Sequence, residues 1–524
     1  MNQLWLPPDG VRRASEAITV SASMLKGGDF RCPAADALKA RGYRPTTNPP
    51  RTRERLEHFT LRPFMAACDA RNGSAEFQGG RFGSRGAPLH DGLSRWSQHA
   101  VETYDGAFSG TSDPPLAEVR APWAYRYCSP GDDPRGAREY SFRVWGRCLA
   151  SADGKLRELR LPVYRMSRRS PPEGFVAAAA LVLAEGTPGP PPERVRIVEF
   201  ALLDGQVRQL FDGTRSEARL HYREHGREAL TAMLDSQEYR PGDACTNCPY
   251  VAVCPVLRKA PGLLGVDAPG RPRRSWSVTN ARSYRDCPAR DHLRRLHLPP
   301  DEAIERDPSA ERGRAVHDYL AERHGQNSAR PCTVDVPEQW VPEGFDLPER
   351  ERDLGAGLLR RHAAVCPLRC VRDGTDVRTE PRVVRHDTDA DVIVIAKPDL
   401  LYRAGDSWVW RETKTTVTDR RSHRPLLERY PQLALAVLLI ARGDLGGASH
   451  RARVELEILR PGGADLEVID PFAAAHRATA ERIVRELAAD WHVDDDYTAT
   501  PGRACGRCEV ARWCSAAINE EVSS

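Results

Sequence analysis

The chain has 524 residues, more than one hydrophobic core can serve, so two or more domains are expected. Its 77 basic and 73 acidic side chains leave a net charge of +4, too little to advertise wholesale binding of polyanions. No apolar run reaches the length of a membrane span, MNQLWLPPDGVRR has no apolar signal-peptide stretch, and no Gly-x4-Gly-Lys-Ser/Thr loop occurs. A soluble, cytoplasmic protein with no membrane partner and no NTPase motor of its own is expected.

In chain order the patterns run twice. The first pass has Ser21-Ala22-Ser23 and then Cys32-Pro33, followed by Arg85-Gly86 with Leu89-His90-Asp91 and Leu93. VWGRCLASADGKLRELRLPVYRM (Val144 to Met166) reads as a hairpin, FVAAAALVLAEG as a buried helix and RVRIVEFALL as a strand. A helical stretch then leads to Cys245-x2-Cys248-x5-Cys254. The second pass has Ser277-Val278-Thr279 and Cys287-Pro288, then Arg312-Gly313 with Val316-His317-Asp318 and Leu320. VIVIAKPDLLYRAGDSWVWRETKTT, LALAVLLIARG and RARVELEILR follow, and Cys505-x2-Cys508-x5-Cys514 repeats the earlier cysteine spacing. Two tandem α/β domains are therefore expected, each a mixed central sheet flanked by helices. Their bounds are 1–262 and 276–524, joined by a Pro/Gly-rich linker at 263–275.

The hairpin from Val392 to Thr416 carries the chemistry. Val392 to Ile395 is a β-branched apolar run, Ala404-Gly405-Asp406 supplies a turn, and Trp408, Val409 and Trp410 begin the return strand. Glu412 and Lys414 are two apart, so on a strand their side chains share a face, and Asp399 can stand opposite them. Two carboxylates converging with a lysine suit a hard divalent cation, Mg²⁺ or Mn²⁺, that activates water beside a phosphodiester.

Pro398-Asp399, twelve residues, then Glu412-Thr413-Lys414 resembles the PD-(D/E)XK nuclease signature in its RecB-like branch. Gly313-Arg314-Ala315-Val316-His317 resembles that branch's Gly-x-x-x-His motif, and Ser277 to Pro288 resembles its opening helix. Glu380 resembles the carboxylate on the strand before the hairpin, and Gln432 the glutamine after it. Cys505, Cys508 and Cys514 resemble the cysteine triplet of the iron–sulfur subset, which includes AddB nuclease domains and CRISPR-associated RecB-like exonucleases. The resemblance spans about Trp276 to Ala517. It implies that Asp399, Glu412, the Thr413 carbonyl and His317 hold the cation, that Lys414 acts on the water and phosphate, and that Glu380 and Gln432 assist. The histidine implies an exonuclease acting on DNA ends or single strands.

In the first half, Cys148 is expected near the aspartate position and Leu161 to Val163 at the Glu-x-Lys position, so that half is expected to be non-catalytic. Two cysteine sets of one plus three stand out: Cys287 with Cys505, Cys508 and Cys514, and Cys32 with Cys245, Cys248 and Cys254. All-thiolate sets of this form suit iron–sulfur clusters, with zinc as the alternative, and the resemblance implies 4Fe–4S. Cys68, Cys128, Cys148, Cys332, Cys366 and Cys370 read as buried or incidental thiols. Basic clusters at Arg271, Arg273 and Arg274, at Arg294 and Arg295, and above all at Arg420, Arg421 and Arg424 are candidates for DNA phosphate contact. The expected function is a metal-dependent DNA nuclease in repair or in defence against foreign DNA. The alternative is a nucleic-acid-binding or scaffold subunit of a larger helicase–nuclease or defence complex.

Overall fold

The structure, a computed structural model, describes residues 5–28, 30–47, 52–71, 87–110, 114–119, 121–129, 138–267, 270–326, 331–337, 340–370, 376–418 and 423–517. The first half contributes β1 (Val11–Arg13), β2 (Ile18–Ser21), β3 (Tyr43–Pro45), β4 (Leu116–Glu118) and β5 (Ala124–Ser129). It continues with β6 (Arg138–Arg143), β7 (Arg147–Ser151), β8 (Leu156–Val163), β9 (Arg194–Ala201) and β10 (Val207–Thr214). β11 (Arg258–Lys259) closes the first half, and the second adds β12 (Arg274–Trp276), β13 (Val377–Thr379), β14 (Val383–Asp387) and β15 (Val392–Ala396). Last come β16 (Leu400–Ala404), β17 (Ser407–Thr415), β18 (Arg453–Arg460) and β19 (Gly463–Ile469).

The two halves share one sheet plan. Five strands lie in the order β4-β7-β8-β9-β10, and five in the order β13-β16-β17-β18-β19. In each, a hairpin is followed by a parallel pair (β8 with β9, β17 with β18) and an antiparallel edge. A parallel pair needs a crossover, and the apolar runs supply it as helices Glu173–Glu185 and Pro431–Ala441. Both helices are buried almost all round, because they are clamped between their sheet and further helices. A small sheet repeats as well: β2 runs parallel to β6, which pairs antiparallel with β5, while β12, β15 and β14 do the same. Cys32 and Cys287 each occupy the N-cap of a helix whose first residue is proline, a position where the missing N–H costs nothing. The mixed α/β architecture expected from the sequence is present in both halves.

Two findings alter the expected organisation. The linker expected at 263–275 is packed at both of its ends: Leu263 and Leu264 are buried in the same core as Trp276, and Arg274 lies in β12 with 1 % exposure. Two apolar leucines after Pro261-Gly262 have a core to enter, and burial there outweighs the flexibility that the Pro/Gly content suggested. The halves are also interlocked. Val510 and Trp513, beside the second cysteine triplet, pack into a core with Leu93 and Trp96 of the first half, with the Trp96 and Trp513 rings edge to face at 5.0 Å. Conversely Cys245, Val251 and Leu257, around the first triplet, pack against Val384 and Ile393 of the second half, and β11 pairs parallel to β14.

Candidate active site

Gly405, at φ +69°, turns the chain between β16 and β17 and sets Leu400 opposite Arg411. Asp399 is thereby placed at the mouth of the hairpin. Its Oδ2 accepts the Thr413 N–H at 2.7 Å and lies 3.7 Å from Lys414 Nζ. Lys414 Nζ is 3.5 Å from Glu412 Oε2, so the expected shared face is realised, and Trp410 Nε1 on the same face donates to Glu412 Oε1 at 2.9 Å. His317, on helix Pro308–Gly325, brings Nδ1 to 3.2 Å from Asp399 Oδ1. Asp399, Glu412, Thr413 and Lys414 of one hairpin thus meet His317 of a helix some eighty residues earlier in sequence.

The electrostatics are those of a crowded, buried carboxylate pair. Burial, and then the charge on Asp399, push Glu412 up to about 7. Burial opposes the charge on Asp399 too, but His317, Lys414 and the Thr413 N–H hold its carboxyl below the usual range. Lys414 is raised despite burial, because Asp399 and Glu412 flank it, and it stays an ammonium ion. Two carboxylates in one buried corner, one of them reluctant to ionise, fit a divalent cation, which would compensate both charges.

The assisting residues stand further off. Glu380 has φ +47°, its N–H donates to the Asp399 carbonyl at 3.2 Å, and its carboxylate pairs with Lys397 at 2.5 Å. It lines a small cavity shared with His317, Asp399 and Thr413. Gln432 is half-buried at the second position of helix Pro431–Ala441, and no hydrogen bond among the described residues joins it to Asp399 or Glu412. Arg420 and Arg421 lie outside the described residues, and Arg424 is exposed.

The other basic clusters are paired with carboxylates. Arg271 and Arg274 meet Asp495 at 2.7 and 2.8 Å, Arg274 also meets Glu54, and Arg273 meets Asp391 at 2.7 Å. Arg294 pairs with Glu509 and Arg295 with Asp291. These ion pairs brace the fold.

In the first half, register assigns the equivalent positions. Arg147 pairs with Arg160 as Leu400 pairs with Arg411, so Gly146 stands at the Asp399 position and Leu161 and Val163 at those of Glu412 and Lys414. The parallel partners agree, since Leu161 lies beside Glu199 and Glu412 beside Leu456 in matching strands. Cys148 therefore does not occupy the aspartate position; it lies two residues further on, buried opposite Leu159. A Cβ on Gly146, at φ +146°, would come within 2.6 Å of the Arg160 carbonyl, so the backbone itself fills the space of the missing carboxylate.

Each cysteine set converges on one cavity: Cys287, Cys505, Cys508 and Cys514 line one, and Cys32, Cys245, Cys248 and Cys254 the other. Their hydrogen bonds repeat at the same offsets. Thr500 N–H points at Cys287 Sγ and Gly502 N–H at Cys505 Sγ, at 3.4 and 3.5 Å. Arg240 N–H points at Cys32 Sγ and Gly242 N–H at Cys245 Sγ, both at 3.4 Å. Backbone donors aimed at sulfur are what a thiolate ligand requires. Cys332 and Cys366, read from sequence as buried or incidental thiols, are buried, and they meet His324 and His362 in one group. The only local signal was His362-x3-Cys366, which puts both side chains on one helix face.

The family model of the PD-(D/E)XK nuclease superfamily, a group generally of metal-dependent nucleases, matches residues 275–515, and the C-terminal region has that fold. Among solved structures, the crystal structure of SSO0001 is similar at 15% identity and a TM-score of 0.26, over 47% of this chain and 88% of that one. A likeness this distant carries nothing about function. No curated protein matches the chain. No helix among the described residues is long and apolar enough to cross a membrane.

Proposed function

We propose that the chain is a divalent-metal-dependent DNA nuclease of the RecB-like, iron–sulfur type, acting as an exonuclease on DNA ends or single strands. The observation that carries the reading is the convergence of Asp399, Glu412 and Lys414 with His317 at one hairpin mouth. Asp399, Glu412, the Thr413 carbonyl and His317 would hold Mg²⁺ or Mn²⁺. Bound there, the ion would supply an activated water and neutralise phosphate charge. Lys414, kept charged by its two carboxylate neighbours, would orient that water and face the phosphate. Trp410 fixes the Glu412 rotamer through its indole N–H.

The cysteine quartets would each bind a 4Fe–4S cluster. An all-thiolate set of one distant cysteine with a close triplet suits a cluster better than a lone zinc ion. Lacking any carboxylate at Gly146, Leu161 and Val163, the first half would bind DNA or brace the nuclease half. A cytoplasmic role in repair or in defence against foreign DNA, alone or with a separate helicase or defence subunit, fits this chemistry.

The test is cleavage of linear single-stranded DNA in Mn²⁺ or Mg²⁺ by full-length Asp399→Ala, Glu412→Ala and Lys414→Ala. Each should lose at least about 100-fold in rate with the fold intact, and Asp399→Ala should leave no second activity from the first half. Near wild-type cleavage in all three would refute the assignment.

A further inference from the structure

Behind the nuclease hairpin lies a second constellation that the proposed reaction does not use. His324 is in the last turn of helix Pro308–Gly325, and His362 is in the last turn of helix Glu349–Val365. Cys366 caps that second helix, and Cys332 approaches from the segment between the two helices. All four are buried, both thiols are free, and their ligand atoms all lie within 4.8 Å of one another.

We propose that His324, Cys332, His362 and Cys366 form a structural zinc site, tetrahedral and closed by four protein ligands. Zinc takes nitrogen at about 2.0–2.1 Å and thiolate sulfur at about 2.3 Å, so a tetrahedral shell separates nitrogen from nitrogen by about 3.3 Å and nitrogen from sulfur by about 3.6 Å. The two Nε2 atoms are 3.2 Å apart, and His324 Nε2 lies 3.4 Å from Cys332 Sγ and 3.8 Å from Cys366 Sγ. The outer contacts are right as well. His362 turns Nδ1 to Glu457 Oε1 at 2.6 Å, which fixes the tautomer that leaves Nε2 free for a metal. The Cys332 N–H points at Cys366 Sγ at 3.3 Å, as a thiolate ligand needs.

With every position taken by protein and none open to solvent, the role is structural. The ion would pin two helices and the segment between them to β18 through Glu457.

This proposal stands whatever happens at Asp399, and its test does not use activity. The full-length chain, expressed with zinc and iron in the medium and purified anaerobically, should carry one zinc that survives dialysis against a mild chelator. X-ray absorption at the zinc edge should give a mixed shell of two nitrogens and two sulfurs. Cys332→Ser, Cys366→Ser and His324→Gln should each lower zinc from one per chain towards none, with iron and sulfide unchanged. Absence of stoichiometric zinc in the wild type would overturn the proposal, as would a Cys332–Cys366 disulfide in the freshly isolated protein. An all-sulfur zinc shell would do the same, since it would trace the metal to a cysteine quartet; so would undiminished zinc in a soluble Cys332→Ser. If the variants do not fold, the wild-type absorption spectrum alone decides.

Discussion

His317 and His324 stand seven residues apart on helix Pro308–Gly325, and they face different chemistries: His317 meets the Asp399 carboxylate, His324 the thiols of Cys332 and Cys366. Two turns of helix therefore join the hairpin mouth to the histidine–cysteine group. Glu457 makes the same connection from the sheet, because it receives His362 at 2.6 Å and the Thr413 hydroxyl at 3.3 Å. The residues around the carboxylate pair are thus held from behind as well as along the strand.

Glu412 gives a pH signature in protein stripped of divalent ions. Its folded value, about 7, lies above the ordinary 4.5, so between those values the native state holds a proton that the unfolded chain has lost. Stability from this group is complete below pH 4.5 and is lost as pH rises through about 7. Glu412→Gln should therefore stabilise the chelated protein at pH 8 by about 2–3 kcal/mol and hardly at all at pH 4.5. Denaturant midpoints at both pH values measure the difference. An equal effect at the two would mean that the carboxyl is not strained by its surroundings.

The cysteine quartets predict colour. Anaerobically purified protein should be brown, absorb broadly in the visible, and carry iron and labile sulfide up to two clusters. Cys287→Ser should halve the iron and lower solubility, since Cys287 joins the opening helix of the second half to its closing segment. Iron-free protein with zinc bound by sulfur alone would replace clusters with zinc at these two sites.

Stability should depend on the seam between the halves. Trp513 is 2 % exposed, stacks edge to face on Trp96, and donates Nε1 to the Pro299 carbonyl at 2.7 Å. Trp513→Ala should cost about 3–5 kcal/mol. Gly92→Ala would put a methyl group 2.4 Å from Leu293 Cδ2 and 3.0 Å from the Trp513 carbonyl, and should cost about 1–3 kcal/mol. Thermal melts of the two variants measure this, and melts matching the wild type would show that the halves do not depend on one another.

What the sequence could reveal follows from how local each signal is. Asp399, Glu412 and Lys414 sit on one hairpin, where period-two alternation and a glycine turn suffice to bring them together. The repeated cysteine spacing and the apolar runs carried the duplicated sheet plan in the same way. The zinc-type group was hidden because its ligands are spread from His324 to Cys366 and meet only after two helices cross the sheet. Cys366-x3-Cys370 also drew attention away from His362, one turn in the other direction. The pairing of the arginine clusters was hidden for a related reason: Arg274 reads as a solvated cation until Glu54, 220 residues away, arrives to pair with it at 2.7 Å. The expected Cys148 failed by two residues, because strand register is fixed by neighbouring strands that a single segment does not reveal.

Each cysteine triplet is seated on the half to which it does not belong, with Trp513 against Trp96 and Val251 against Val384. Damage is therefore shared. Oxidation that loosens the sulfurs near Trp513 opens the support of the first half, and oxidation near Val251 opens that of the second. A protease or a chaperone would then meet one collapsing body rather than a surviving domain attached to a ruined neighbour, and with clusters bound as proposed, loss of iron would undo both halves together.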